Sequence, residues 1–277
     1  MQQVKVFGMM AALTALLMII GQVFGGRVGL IWAFGGALVM NVGMYWFSHK
    51  VVLKMYKART VSREDAPKLY DMVDGLRQRA DLPMPIVAIA PSEQPNAFAT
   101  GRNPANAVVC CTAGLLKLMN QEELEGVIAH ELGHIKHRHM LVGTLAATIA
   151  GAVASLARWG FILSRGENRN PIVGILIMIL APMAAVIIQM AISRQNEFQA
   201  DRTAAEITGS PAGLVSALQN LESYSKQIPM DVNPAAAALA IVNPFGGGKV
   251  LGGAGKLFLT HPPTAERVAA LQTLARG

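Results

Sequence analysis

The stretch HELGHIKHRH, residues His130 to His139, contains four of the six histidines in the chain. Its first five residues match H-E-x-x-H, in which the two histidines are four positions apart. In a helix such positions lie on one face about 6 Å apart, so His130 and His134 can bind the same metal ion. Glu131 lies about 100° further round the helix, where its carboxylate can act as a base towards water. The stretch therefore predicts a helix with a zinc-type hydrolytic site.

A catalytic zinc needs a third protein ligand, and the best candidate is far along the chain. The segment SRQNEFQAD, residues 193–201, places Glu197 and Asp201 one helical turn apart. Glu197 can complete the ligand set, and Asp201 can hold the other ring nitrogen of a ligating histidine. Taken alone, E-x-x-x-D is more typical of an exposed pair on a helix than of a metal site. His137 and His139 do not fit the metzincin spacing, and we favour a surface position near lipid headgroups for both.

Four uncharged blocks make this chain unusually apolar. Charged residues are 15% of the sequence, against about a quarter in soluble proteins. About 20 residues of helix cross a bilayer, so each block is a candidate span. The first two are predicted to span as an uncleaved anchor. The last two contain more small and polar residues, and they predict either a second transmembrane hairpin, which we favour, or a buried one. The blocks are Val6–Gly26, Val28–Ser48, Met140–Ala157 and Asn170–Ser193.

Basic residues predict the orientation of the first two blocks. Only Arg27 separates them, whereas five basic residues follow between Lys50 and Arg63. Positive residues stay cytoplasmic, which predicts that the N-terminus and the chain from His49 onward face the cytoplasm. The net charge of +7 then reflects attraction to anionic lipid headgroups. No nucleic-acid recognition motif accompanies the basic run, so nucleic acid is excluded as a partner.

The polar segments predict a small α+β unit. Helices are expected at 67–80, from the Asn120 capping box through the motif to about His139, at 197–207 and at 264–275, with strands at 85–90, 96–101 and 107–112. Adjacent Cys110 and Cys111 do not suit a disulfide and are expected to be buried on a strand. The predicted organisation is 1–48 transmembrane hairpin, 49–139 first part of the domain with the zinc-type site, 140–193 second apolar hairpin, transmembrane in our interpretation, and 194–277 second part of that domain.

Two other classes of protein remain as alternatives at this point. A membrane scaffold with a structural zinc would fill all four coordination positions with protein ligands. A channel or transporter would need polar groups along its spans, and apart from the terminal Asn170 the apolar blocks supply only Gln22, Asn41 and Gln189 as larger ones.

Four motifs occur in one order together with the paired apolar blocks: NAFATG at 96–101, HELGHIKHRH, SRQNEFQAD, and HPPTAERV at 261–268. In this the chain resembles the HtpX-type membrane zinc endopeptidases, gluzincins related to the CAAX prenyl endopeptidase. The resemblance implies a mainly α (α+β) fold with a small sheet beside the motif helix. It also implies one zinc ion per subunit, held by His130, His134 and Glu197, with Glu131 as the general base and Asp201 supporting His130.

The resemblance extends to substrate and location. It implies that Asn96, Ala97, Phe98 and Ala99 form an edge strand that binds extended peptide. His261 would be a further catalytic residue that stabilises the oxyanion or holds the site together, and Arg267 would pair with a nearby carboxylate. The implied setting is the bacterial inner membrane, multi-pass, with the active site facing the cytoplasm. There it would cut damaged, unfolded or misassembled membrane proteins as part of quality control.

Overall fold

The computed structural model describes residues 2–149, 193–227, 241 and 262–274. Its N-terminal part is helix α1, Gln2–Met55, which is broken at Gly26 by a left-handed φ of 56°. A left-handed φ is open to glycine at little cost, so the chain reverses here. The two arms, Val4–Gln22 and Gly25–Met55, are each apolar and long enough to cross a bilayer. The predicted apolar helical hairpin is therefore present, and both of its arms have the length and composition of a span.

Close packing and one polar contact hold the two arms together. A Cβ atom on Gly21 would lie 2.4 Å from the carbonyl oxygen of Gly29, so only glycines permit this approach. Asn41 on the second arm donates hydrogen bonds to the Thr14 hydroxyl at 2.8 Å and the Met10 carbonyl at 3.3 Å on the first. Because lipid offers no partners, such an amide must be satisfied within the protein.

The sheet has four strands in the order β1-β2-β4-β3. Strand β2 pairs parallel with β4, while β1 with β2 and β3 with β4 are antiparallel. Strand β3 therefore lies at an edge of the sheet. The bounds are Arg59–Thr60 for β1, Ile86–Ala90 for β2, Ala97–Gly101 for β3 and Ala107–Thr112 for β4. The last three match the predicted strands, and β1 is too short to leave a sequence pattern.

The described part of the chain has seven further helices. They are α2 Pro67–Arg79, α3 Ala113–Leu118, α4 Gln121–Lys136, α5 Met140–Ile149, α6 Arg194–Thr208, α7 Ala212–Gln227 and α8 Thr264–Leu274. Helices α2, α4, α6 and α8 were predicted, and α3 and α7 were not. The fold is thus mainly α with a small sheet, as expected. Most of the predicted second hairpin, 140–193, lies outside the described residues.

Helix α4 is the centre of the fold. Its first turn is closed by the predicted capping box, in which Asn120 and Glu123 exchange side chain to backbone hydrogen bonds. One side of α4 contacts the sheet and the other contacts α6 and α7. At the α7 crossing, a Cβ atom on Gly126 would lie 2.5 Å from the Leu214 nitrogen, so glycine allows the two helices to meet. Buried Glu123 also accepts hydrogen bonds from Ser216 and Asn220 of α7.

Helix α4 ends earlier than predicted. It stops at Lys136, because Arg138 adopts a left-handed φ of 58° and turns the chain before His139. Helix α5 then packs against the transmembrane hairpin, where Val142 and Leu145 join Val6 and Met9 in one apolar cluster. The catalytic motif therefore leads directly from the polar part into the apolar part of the molecule.

Candidate metal centre

Three side chains from α4 and α6 converge on one point. The Nε2 atoms of His130 and His134 are 3.1 Å apart. The Glu197 carboxylate lies 3.7 Å from the first through Oε2 and 3.5 Å from the second through Oε1. The offered ligand atoms all fall within 4.8 Å of one another. Tetrahedral ligands at 2.0–2.1 Å from zinc are about 3.3 Å apart, so this set of two nitrogens and one oxygen fits a zinc ion.

A close helix crossing places Glu197 at this point. On α4, a Cβ atom on Gly133 would lie 3.1 Å from both the Cα atom and the carbonyl oxygen of Ala200 on α6. A larger residue at Gly133 would push α6 and its carboxylate away from the histidines. Glu197 also lies in the first turn of α6, where the helix dipole favours a negative charge.

Asp201 contacts the ring nitrogen of His130 that faces away from Glu197 and His134, which is the contact that the sequence analysis expected. The Nδ1 atom of His130 is 2.9 Å from Asp201 Oδ1, so an N–H donated there leaves Nε2 available for metal. Burial favours the neutral form of Asp201, but the charge and hydrogen bonds of Arg267 outweigh it and lower its pKa to about 2. Burial alone would lower the pKa of His130, whereas the hydrogen bond and charge of Asp201 raise it overall.

Arg267 from α8 completes this buried network. It donates to Asp201 in a bidentate manner, through Nε at 2.8 Å and Nη2 at 2.6 Å. Its Nη1 atom donates to the Ile241 carbonyl at 3.0 Å and lies 3.8 Å from Glu197. The sequence suggested a carboxylate partner for Arg267, and the structure identifies it as Asp201. Helix α8 is thereby attached to the floor of the metal centre.

We expect Arg267→Met to destabilise the metal-free protein by about 3–5 kcal/mol, because it leaves the buried Asp201 carboxylate without its counter-charge. Denaturant unfolding in detergent measures this. The double variant Arg267→Met/Asp201→Leu removes both charges and should recover most of the lost stability. A double variant as unstable as the single one would contradict this assignment of the destabilisation to an uncompensated charge.

Glu131 is buried in α4, and its charge acts on the thiols of strand β4. Burial is the main cause that raises the pKa of Cys110 to about 12. A backbone hydrogen bond at Ala90 opposes the rise, and the Glu131 charge adds to it. Both Cys110 and Cys111 are buried and free, as predicted, and both are therefore inert thiols at neutral pH.

His139 is a neighbour of the centre that the sequence did not reveal. It is buried, with its Nδ1 atom 3.2 Å from Nδ1 of His134, rather than at the surface near lipid headgroups. Burial lowers the pKa of His139 to about 4, so its ring is neutral and can accept the Nδ1–H of His134. The contact depends on the turn at Arg138. No Gly or Pro occurs at this turn, so the sequence pattern does not predict it. His137 instead hydrogen-bonds Thr203 and Gln199 of α6.

The predicted substrate strand lies at the edge of the sheet, beside α4. Its side chains are buried, and Phe98 packs on Tyr56 with ring centroids 4.4 Å apart. Asn96 Oδ1 accepts a hydrogen bond from the Ile241 backbone, which joins this strand to the Arg267 network. His261 lies outside the described residues.

Helices that can cross a membrane, joined to a His–His–Glu centre with a buried carboxylate beside it, define the architecture of a membrane metallopeptidase. The family description "Peptidase family M48" matches residues 63–275. A "Protease HtpX homolog" from Gemmatimonas aurantiaca is 54% identical over 99% of this chain and all of that protein. Another from Salinibacter ruber is 51% identical over 99% of both. The chain belongs to peptidase family M48 and is a metallopeptidase.

A solved structure of lower sequence identity has a similar fold. S. mikatae Ste24p superposes with a TM-score of 0.51 and 20% identity, covering 97% of this chain. The chain spans 64% of the length of that protein. At this level of identity the likeness concerns the fold alone.

Proposed function

We propose that this protein is a zinc endopeptidase in which His130, His134 and Glu197 hold one zinc ion per chain. The convergence of their three ligand atoms within 4.8 Å carries the proposal. Two imidazoles and a carboxylate are the ligands of well-known catalytic zinc sites, which leave a fourth position open to water and substrate. Among the described residues the converging ligand atoms lie between α4 and α6 rather than in the apolar arms of α1, which favours a metal centre over a channel.

The residues around the metal centre have separate roles in the proposed reaction. Zinc in such a site supplies Lewis acidity, which activates water and polarises the scissile carbonyl. The Glu131 carboxylate takes the proton of the attacking water and passes it to the nitrogen of the departing amine. Asp201 holds His130 through Nδ1, and His139 holds His134 in the same way, so both Nε2 atoms face the centre. The role of His261, stabilising the oxyanion or the site, remains part of this proposal.

Substrate is proposed to bind along the edge strand at Asn96, Ala97, Phe98 and Ala99. An edge strand offers backbone donors and acceptors to an extended peptide. Because these hydrogen bonds involve only the main chain, peptides of many sequences can bind. As whole residues Asn96, Ala97, Phe98 and Ala99 are at most 6% exposed, so recognition is proposed to use the main chain of this edge rather than its side chains. This mode suits unfolded or misassembled proteins, whose backbones are free to pair. A quality-control protease acting on damaged membrane proteins needs that breadth of substrate.

The centre is proposed to face the cytoplasm from the bacterial inner membrane. We propose that the two polar segments, 49–139 and 194–277, form one domain, which the packing of α4 against α6 and α7 supports. We also propose that the segment 140–193 is a second transmembrane hairpin. This gives a multi-pass protein with His130 and Glu197 on the same side of the membrane. The basic residues after the first hairpin favour the cytoplasmic side.

The proposal is tested with an unfolded substrate, such as casein, added to sealed membranes from cells producing the protein. Inverted inner-membrane vesicles expose the cytoplasmic face, and we expect them to cleave casein. Sealed spheroplasts expose the opposite face and should not. A zinc chelator should abolish cleavage, and added zinc should restore it. Cleavage that survives the chelator would contradict the metal mechanism, and cleavage by sealed spheroplasts alone would contradict the orientation.

A further inference from the structure

A cavity of about 440 Å³ lies away from the metal centre, between the transmembrane hairpin and the catalytic part. Both arms of α1 contribute to it, together with the loop after β3, the turn after α4 and the start of α5. Its apolar wall includes Phe7, Met10, Val42 and Leu141, and its polar rim includes Arg102 and Arg138. The cavity is therefore lined both by apolar side chains and by two arginines.

The two arginines of the rim are available to an anionic ligand. The Arg102 guanidinium lies 4.0 Å from the ring centroid of Trp46, and it donates a hydrogen bond to the neutral Asn106 side chain. Arg138 is exposed on the turn after α4. Within the described ranges neither arginine forms an ion pair with a carboxylate. The rim is thus a pair of positive charges that no carboxylate of the described residues neutralises.

The apolar wall lies where lipid tails would be. Phe7 is 69% exposed and Val42 is 59% exposed, and both belong to helix arms long enough to span a bilayer. Tyr45 and Trp46 line the same cavity near the end of the second apolar block. Tyrosine and tryptophan gather at the level of the headgroups, so the arginine rim lies at the membrane–water boundary.

We propose that this cavity binds one anionic phospholipid. The headgroup phosphate accepts hydrogen bonds from Arg102 and Arg138, and an acyl chain lies against Phe7, Met10, Val42 and Leu141. Basic pockets between helices at the cytoplasmic surface are suited to anionic headgroups. Free phosphate would contact only the arginines, whereas a phospholipid also has an acyl chain that can contact the apolar wall. The bound lipid would join the hairpin to the turn after α4.

Native mass spectrometry of the full-length protein, released from nanodiscs of phosphatidylcholine and phosphatidylglycerol, tests this. We expect one phosphatidylglycerol to remain bound in preference to phosphatidylcholine. A basic residue near an anionic surface is worth about a fivefold change in binding, so Arg102→Gln and Arg138→Gln should each weaken retention about fivefold, and more together. Arg59→Gln is the matched control, because it removes an exposed arginine of the same domain outside the cavity. Its retention should stay within about twofold of the original protein.

Three results would overturn the proposal. Equal retention of the two lipids by the original protein would show no anionic preference. Undiminished phosphatidylglycerol in the double variant, with folding confirmed by circular dichroism, would place the lipid elsewhere. Displacement of the lipid by millimolar inorganic phosphate would show that the arginines bind phosphate without a contribution from the apolar wall.

Discussion

Glu131→Gln is expected to lower kcat/KM for casein by about 10²–10⁴-fold, while the protein stays folded and binds zinc. Glutamine keeps the size and hydrogen bonding of the side chain but cannot accept the proton of the attacking water. Glu131 is not among the converging ligand atoms, so zinc content should remain at one ion per chain. The measurements are steady-state cleavage and metal analysis of the same purified sample.

Glu122→Gln is the matched control for this variant, because it makes the same change at an exposed position of the same helix. It should cleave casein at the original rate. Retained cleavage by the Glu131 variant would refute its assignment as the general base. Loss of zinc together with activity would instead assign Glu131 to metal binding.

Glu197→Ala is expected to weaken zinc binding by more than about 100-fold and to abolish cleavage. Loss of a group that merely supports a ligand costs 10- to 100-fold in metal affinity, so loss of a ligand itself should cost more. Alanine also removes a buried carboxylate that contributes to the charge balance around Arg267. Zinc affinity is measured by competition with a chromogenic chelator.

Glu206→Ala provides the control, since Glu206 is an exposed glutamate on the same helix α6. It should bind zinc as the original protein does. Undiminished zinc affinity in the Glu197 variant would exclude Glu197 as a ligand, even if cleavage were lost. The affinity measurement therefore separates a ligand role from an indirect effect on the reaction.

The local parts of the structure were predictable from the sequence. The Asn120 capping box and the H-E-x-x-H spacing are short-range patterns, and both appear in α4 as expected. The two N-terminal spans follow from length and hydropathy alone. The convergence of Glu197 with the histidines was expected because a catalytic zinc needs a third protein ligand. Each of these features depends either on residues close together in the sequence or on the number of ligands that zinc requires.

The parts that sequence could not supply depend on long-range packing. Arg138 takes a left-handed backbone conformation that nothing in its side chain demands, and this turn brings His139 against His134. Arg267 and Asp201 are 66 residues apart, so their bidentate contact follows from the docking of α8 rather than from spacing. The parallel pairing of β2 with β4, which leaves β3 at the edge, likewise has no local signature.

X-ray absorption at the zinc edge, on the purified full chain, tests the central claim most directly. The claim is that His130, His134 and Glu197 share one ion. We predict one zinc per chain with two imidazole nitrogens and oxygen ligands at about 2.0–2.2 Å, and the oxygen contribution should fall in Glu197→Ala. A sulfur shell near 2.3 Å, a third imidazole, or a spectrum unchanged in Glu197→Ala would contradict the account.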